Sequence, residues 1–291
     1  MNYQPSIARQ YGDLRILFCG DIVGRAGKDA VVHYVPKLRL SHDLDMVIAS
    51  ADNVSGGFGV TPDLCKELFA AGVDVLTGGD HVWDQKDTHH YLNYEPRLLR
   101  PHNFPEKTNG KGWFILETSK GKRIGVLHLL GQIFHKEYLD SPFSAADKIL
   151  THHRLGYNID AIIVDMHAEA TAEKNAMGIY LDGRVSAVVG SHTHVPTSDA
   201  RILARGTAYH TDTGMCGDYH NSIIGFDPET SLGNFTMKMR KTRLQPAGGE
   251  GTLCATLVHI SGTNGLARSI EHMMIGGAFA THTYDCSVVQ G

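Results

Sequence analysis

The stretch LTGGDHVWD, residues 76–84, starts as an apolar strand, breaks at two glycines and then sets an acid beside a histidine. What precedes it decides how it is read. VDVLTGG (73–79) follows TPDLCKELFAAG (61–72), where Thr61 takes a helix N-cap, Pro62 the first helical position and Gly72 the end. Further upstream, DMVIASA (45–51) is a strand, and GKDAVVHYVPKLRL (27–40) places Ala30, Val31, Tyr34, Val35 and Leu38 on one helical face. LRILFCG (14–20) opens the series as another strand. Such alternation predicts a sheet with covering helices.

Downstream, GWFILETSKGKRIGVLHLLG (112–131) reads as a hairpin turning at Ser119 to Lys122, so the sheets are expected to be mixed rather than purely parallel. PFSAADKILTHHR (142–154) is expected to be a helix, AIIVDMH (161–167) a strand, TAEKNAMGIYLDG (171–183) a helix and VSAVVGSHTH (185–194) a strand. Strands and loops are expected after that, with ARGTAYHTDTGMCGDYH (204–220) rich in turn formers. No repeat or low-complexity linker divides the chain, and one domain is expected.

Composition narrows the function. The chain has 291 residues, 42% of them hydrophobic, enough for a sizeable core. Its 27 basic and 31 acidic residues leave a net charge of −4 with histidines neutral, which gives no electrostatic basis for a broad nucleic-acid surface or a membrane surface and favours a small substrate. Cys19, Cys65, Cys216, Cys254 and Cys286 are scattered, odd in number and never spaced C-x-x-C, so a reducing cytoplasm is expected instead of a disulfide framework or a thiolate metal site. MNYQPSIARQYGDLR lacks the apolar core of a signal peptide, and no apolar run approaches the ~20 residues that span a bilayer. Of eighteen histidines, His89, His90, His152, His153, His272 and His282 lie in polar or terminal segments and are expected to be solvated.

The remaining polar residues collect where strands end. LFCG is followed by Asp21, VIASA by Asp52 and Asn53, LTGG by Asp80 and His81, AIIVDM by His167, and AVVGS by His192 and His194. Ligands of α/β sheets bind beyond the carboxyl ends of the strands. Oxygen and nitrogen donors without sulfur suit manganese, iron, zinc or a similar divalent ion. His192 and His194 alternate on what reads as an extended segment, so both rings are expected to face one cavity.

Taken in order, GDIVG (20–24), ADNVSGGFGVTP (51–62), GGDHVWD (78–84), EPRLLRPHNFP (95–105), VDMHAEATAEK (164–174), DGRVSAVVGSHTHVPTSDARIL (182–203) and TDTGMCG (211–217) resemble the YmdB-type branch of the calcineurin-like metallophosphoesterases. The resemblance runs from about residue 14 to about 260. It implies a metallophosphoesterase domain over 14–260, flanked by an N-terminal extension (1–13) and a tail (261–291) packed on or beside the same domain. The implied fold is a four-layer α/β sandwich with mixed sheets, and the implied activity is hydrolysis of phosphodiesters, including 2′,3′-cyclic and 3′,5′-cyclic nucleotides. By the same resemblance Asp21, Asn53 and His194 hold one metal, Asp80, His167 and His192 a second, Asp52 bridges them, and His81 donates the proton. Iron or manganese are the expected ions, ahead of zinc or magnesium.

The chemistry is coherent in its own right. Two cations about 3.5–4 Å apart activate a shared water and clamp phosphoryl oxygens while hydroxide attacks phosphorus in line. A histidine outside the ligand set then protonates the leaving alkoxide, an effect typically of about 10²–10⁴ in rate. Asp84 or Asp87 is available to orient His81, and each serves equally well as a helix-start acid. The GGFG run (56–59) and the helix start at Thr61 offer backbone N–H groups to a phosphate, although such glycine-rich runs are more often plain turns.

Two positions depart from the branch, which usually has glutamate at Asp52 and asparagine at Asp80. Asp80 adds a carboxylate, cancels one unit of positive charge that would attract an anionic diester, and removes an amide donor. Slow phosphodiester hydrolysis is one expectation. A metal- and nucleotide-binding regulatory protein of weak catalytic power is another, and a phosphomonoesterase a third. The formation of a homo-oligomer stays open.

Overall fold

The computed structural model describes residues 9–136, 138–237 and 243–277, together with the backbone of 282–285. Four short parallel strands, β1 (Leu14–Cys19), β3 (Met46–Ser50), β4 (Val75–Thr77) and β5 (Leu98–Leu99), form one side of the first sheet. The later strands β13 (Leu253–Ile260), β14 (Ala267–Ile275) and β15 (His282–Asp285) complete it as an antiparallel extension from β1, in the order β15-β14-β13-β1-β3-β4-β5. The second sheet has the order β10-β11-β9-β8-β7-β6, from β10 (Arg201–Ile202), β11 (Ala208–His210), β9 (Ala187–Ser191), β8 (Ala161–His167), β7 (Arg123–Leu130) and β6 (Trp113–Glu117). β6 and β7 are the expected hairpin, while β7, β8 and β9 run parallel. A short ladder of β2 (Asp21–Ile22) and β12 (Met215–Cys216) stands apart.

Strand alternation builds the layers. In β1, Leu14, Ile16 and Phe18 pack with Ile124, Val126, Ile163 and Val189 of the second sheet, whereas Leu17 and Cys19 pack against Val31, Val35 and Leu38 of α1 (Gly24–Ser41) and Cys65 and Leu68 of α2 (Pro62–Ala70). On the far side, Ile162, Val164 and Met166 of β8 meet Ala146 and Leu150 of α4 (Pro142–His152) and Met177 and Leu181 of α5 (Thr171–Leu181). Three apolar clusters thus separate four layers, helix, sheet, sheet and helix. This is the mixed α/β sandwich expected from the sequence.

Local chemistry sets the ends of the elements. Thr61 caps α2 by accepting from Leu64 N–H at 3.4 Å, with Pro62 in the first turn. The first helix begins at Gly24, three residues before the expected start, because Val23 N–H is held by Cys216 O at 2.9 Å and Gly24 turns the chain with φ +57°. A short α3 (Lys86–Tyr91) follows the 79–84 loop.

Several expectations need correction. The late region expected to hold only strands and loops contains α6 (Pro228–Thr236), capped by Asp227, whose Oδ1 accepts from Glu229 N–H at 2.8 Å. The strand expected over 185–194 stops at Ser191, and His192 and His194 take left-handed backbone, φ +97° and +64°. His272 is not solvated; it is 4% exposed, packed on His210 between the sheets with Nε2 3.0 Å from Thr213 O. His153 is half-buried, its ring against that of Trp113. His89, His90 and His152 are exposed as expected, and the side chain of His282 lies outside the described residues.

Candidate metal centre

The first sheet presents acids. Asp21, just past β1, is fully buried; its Oδ1 accepts from Ser50 Oγ–H at 2.6 Å and its Oδ2 from His192 N–H at 2.8 Å. Asp52, past β3 and also buried, accepts His81 N–H on Oδ1 at 2.9 Å. Beside it Asn53 donates Nδ2–H to Gly57 O at 3.1 Å. That bond is what the GGFG run does for the site, together with the approach of Gly59 to His81 O, which a Cβ would meet at 2.5 Å.

The two glycines after β4 have separate tasks. Gly79, with φ +56°, leaves room for Asp52 and His167: a Cβ there would stand 2.2 Å from Asp52 Oδ1 and 2.7 Å from His167 Nε2. Gly78 leaves room for Val82, whose side chain a Cβ would meet at 2.3 Å. The break therefore lets Asp80 and His81 come forward over a crowded floor. Asp80 Oδ1 lies 3.2 Å from His167 Nε2 and 3.5 Å from His192 Nδ1.

The second sheet presents imidazoles. His167 ends β8 with no exposure, and its Nδ1 lies 2.8 Å from Ser191 Oγ. Ser191 Oγ–H in turn donates to Asp165 Oδ1 at 2.6 Å, so His167 Nδ1 carries a proton donated to Ser191 Oγ and Nε2 is the nitrogen that faces the acids. His194 reaches the same state by another route, its Nδ1–H donating to Ile224 O at 2.7 Å while Nε2 stands 3.1 Å from Asn53 Oδ1. His192 turns Nδ1 inward, 3.2 Å from His167 Nε2, and Nε2 outward, 3.4 Å from Glu169 Oε2. Outer partners of this kind fix ring orientation and tautomer in metal sites.

Asp52 Oδ2 is 3.6 Å from His167 Nε2 and Asp21 Oδ1 is 3.8 Å from His167 Nδ1. Ligating atoms of Asp80, His167 and His192 fall within 4.8 Å of one another, as do those of Asp52, Asp80 and His81. The expected first set is looser: Asn53 and His194 touch, while Asp21 is hydrogen-bonded to Ser50 and His192. Among the described residues, the ion pairs of Asp21, Asp52 and Asp80 are all with histidine and none with lysine or arginine. Three carboxylates at a largely dry site with no fixed cation call for one. Burial alone would lower the His167 pKa, but Asp52, Asp80 and Asp21 raise it well above the ordinary value. Burial would likewise raise that of Asp80, yet the His167 and His192 rings hold it well below the carboxylate range. The donor set, all oxygen and nitrogen, fits a divalent transition metal.

His81 clusters with Asp52 and Asp80 and also reaches partners outside that group. Its Nδ1 lies 2.8 Å from Asp84 Oδ2, its ring meets Phe58 edge-on at 5.2 Å, and its Nε2 is 3.9 Å from Asp80 Oδ2. Of the two candidate orienting acids, the structure brings Asp84 to the ring. Burial lowers the His81 pKa, and Asp52, Asp80 and Asp84 together outweigh it and raise it.

The YmdB-like protein profile matches residues 17–273, a span that includes all of these side chains. The chain belongs to the YmdB-like family. It is 42% identical over 264 residues to the 2′,3′-cyclic-nucleotide 2′-phosphodiesterase of Bacillus subtilis (strain 168), covering 90% of this chain and 97% of that protein. The solved structure of a novel phosphatase from Mycoplasma pneumoniae superposes with a TM-score of 0.83 at 31% identity, covering 90% of this chain and 93% of that one. A hypothetical protein from Thermus thermophilus gives 0.81 at 38% identity, with 94% and 99% covered. The fold of this YmdB-like chain is the calcineurin-like one that the motifs implied.

Sequence reasoning missed the groups behind the ligand positions. His128 Nε2 accepts Gly79 N–H at 3.0 Å and its Nδ1 lies 2.9 Å from Asp165 Oδ2, so a fully buried relay runs from the 79–84 loop through His128, Asp165 and Ser191 to His167. Glu169 was also missed. Both Asp165 and Glu169 stand within the VDMHAEATAEK motif, two residues either side of His167, which was the available signal.

Proposed function

We propose that this YmdB-like protein is a metal-dependent phosphodiesterase acting on a small diester, a 2′,3′-cyclic or 3′,5′-cyclic nucleotide or a close relative. The reading rests on one observation above the others: the carboxylates of Asp21, Asp52 and Asp80 converge on the His167 and His192 rings where two sheets end, and among the described residues none of the three pairs with lysine or arginine. Asp80, His167 and His192 would hold one ion, Asp21, Asn53 and His194 the other, and Asp52 would bridge; iron or manganese suits such a set. Metal ions bound there supply Lewis-acid charge for phosphoryl oxygens and lower the pKa of water.

The chain's own residues then do the following. Asp84 fixes the His81 ring through Nδ1, which leaves Nε2–H to protonate the departing alkoxide. Asp52 accepts His81 N–H and so ties the position of the acid to that of the bridging carboxylate. The His128 relay holds the loop that carries both. The name of the Bacillus relative supports a cyclic nucleotide as substrate. Buried, unpaired Cys19, Cys65, Cys216 and Cys254 fit a reducing cytoplasm, and no helix among the described residues is long and apolar enough to cross a membrane.

The test is a substrate panel on protein loaded with Mn(II): 2′,3′-cAMP, 3′,5′-cAMP and bis-p-nitrophenyl phosphate against p-nitrophenyl phosphate and a nucleoside monophosphate. Diesters turned over faster than monoesters is the expected result. Faster monoester turnover would replace the reading with a phosphatase, and tight nucleotide binding without turnover of either would make the protein a binder.

A further inference from the structure

The motif EPRLLRPHNFP (95–105) contributes nothing to the metal centre, yet it encloses a cavity of about 250 Å³ immediately behind the 79–84 loop. Arg100, His102, Asn103 and Phe104 form one wall, and Ala145 and Lys148, on one face of α4, form the other. We infer that this cavity is a second, separate binding site, for a small inorganic oxyanion of the phosphate or sulfate class.

The argument begins with Arg100. The residue is 5% exposed and its guanidinium has no carboxylate partner among the described residues; its Nη atoms donate to the carbonyls of Pro101 at 2.6 Å, His102 at 3.3 Å and Thr108 at 3.4 Å, and its buried Nε–H has no partner there. A buried guanidinium is stable when an anion meets it, and its fork matches an oxyanion. His102 Nδ1, also buried, has no partner either, and Lys148 brings a second positive charge from the opposite wall. Burial, Arg100 and Lys148 together lower the His102 pKa, which marks the positive field inside. Glu106 and Asp140 stand at the exposed rim and oppose an anion, but neither pairs with Arg100 or Lys148. The volume lies near the lower end of the roughly 300–1,000 Å³ typical of small-molecule pockets and is ample for a free oxyanion.

The cavity touches the catalytic loop on two sides. Phe104 packs on Trp83 at 4.6 Å between ring centroids, and His102 N–H donates at 2.7 Å to His128 O, the residue whose ring holds Gly79. Occupancy should therefore be reported by Trp83.

The experiment uses the metal-loaded, full-length chain carrying Trp113→Phe, which leaves Trp83 as the sole tryptophan. Sulfate is titrated at constant ionic strength while Trp83 fluorescence is followed. A saturable change is expected, retained with His192→Ala, weakened at least fivefold in apparent affinity by Lys148→Ala, and tightened by Glu106→Gln, which removes an opposing charge. Lys148 and Glu106 are exposed, so both variants should fold. The absence of a saturable change would overturn the inference. So would a change that disappears with His192→Ala, which would place the anion at the metal centre, or one indifferent to Lys148→Ala.

Discussion

Among the histidine pairs whose rings meet edge-on in this molecule are His167 with His192, at 4.8 Å between centroids, and His210 with His272, at 4.9 Å, and the surroundings of His167 and His272 drive those two rings in opposite directions. Both His167 and His272 are buried, and burial disfavours the charged ring in each. Around His167 three carboxylates outweigh that cost and raise its pKa well above the ordinary value. Around His272 the partners are Thr213 O and the His210 ring, and burial, helped by His210, pushes it down to about 4. The lesson is that proximity of histidines does not make a site. The one pair is a structural filling of the space between sheets; the other borders uncompensated acid and is open to a cation.

The largest break in this comparison should come from His192→Ala, which leaves His167 without its partner at the rim. Metal affinity, followed by equilibrium dialysis, should fall by at least about 10²-fold, with hydrolysis falling at least as far. His81→Ala should lower kcat by about 10²–10⁴ while metal content is unchanged, which separates the acid from the ligands. Asp84→Asn should cost less, about tenfold in kcat, since the ring loses its orientation and not its proton.

The structural pair is tested by pH. The folded pKa of His272, about 4, lies below its ordinary 6.5, so between those values the unfolded chain binds a proton that the folded one does not. Its stabilising contribution is complete above pH 6.5 and is lost as pH falls towards 4, about 3 kcal/mol in all. His272→Gln should therefore lose less stability than wild type between about pH 7.5 and 5.0 in urea titrations. The smallest effect is expected of Asp80→Asn: with one negative charge removed, KM for 2′,3′-cAMP should fall by up to about tenfold, with a smaller change in kcat.

Much of this was legible in the chain because a strand end followed by an acid or histidine recurs five times, and each recurrence lies at one edge of the sheets. Legibility failed where backbone or register decides. His192 and His194 were read as alternating on an extended segment; both rings do reach the site, but through left-handed backbone that lets His192 meet His167 and His194 meet Asn53. The relay behind the site depends on the parallel register of β7, β8 and β9, which sets His128 opposite Asp165 and His167 opposite Ser191. No spacing within a single strand carries that. His272 was misread for the same reason, since its burial comes from pairing with Thr256 of β13 and from the second sheet laid over it.

The central claim, that the two sheet ends make a metal-dependent diesterase, is tested most directly by one paired measurement on purified protein: metal per chain by elemental analysis, with turnover of 2′,3′-cAMP on the same sample. About two transition-metal ions per chain, lost together with turnover on chelation and restored with it by Mn(II), is the predicted result. Turnover that persists in metal-free protein, or none in protein with both ions bound, would contradict it.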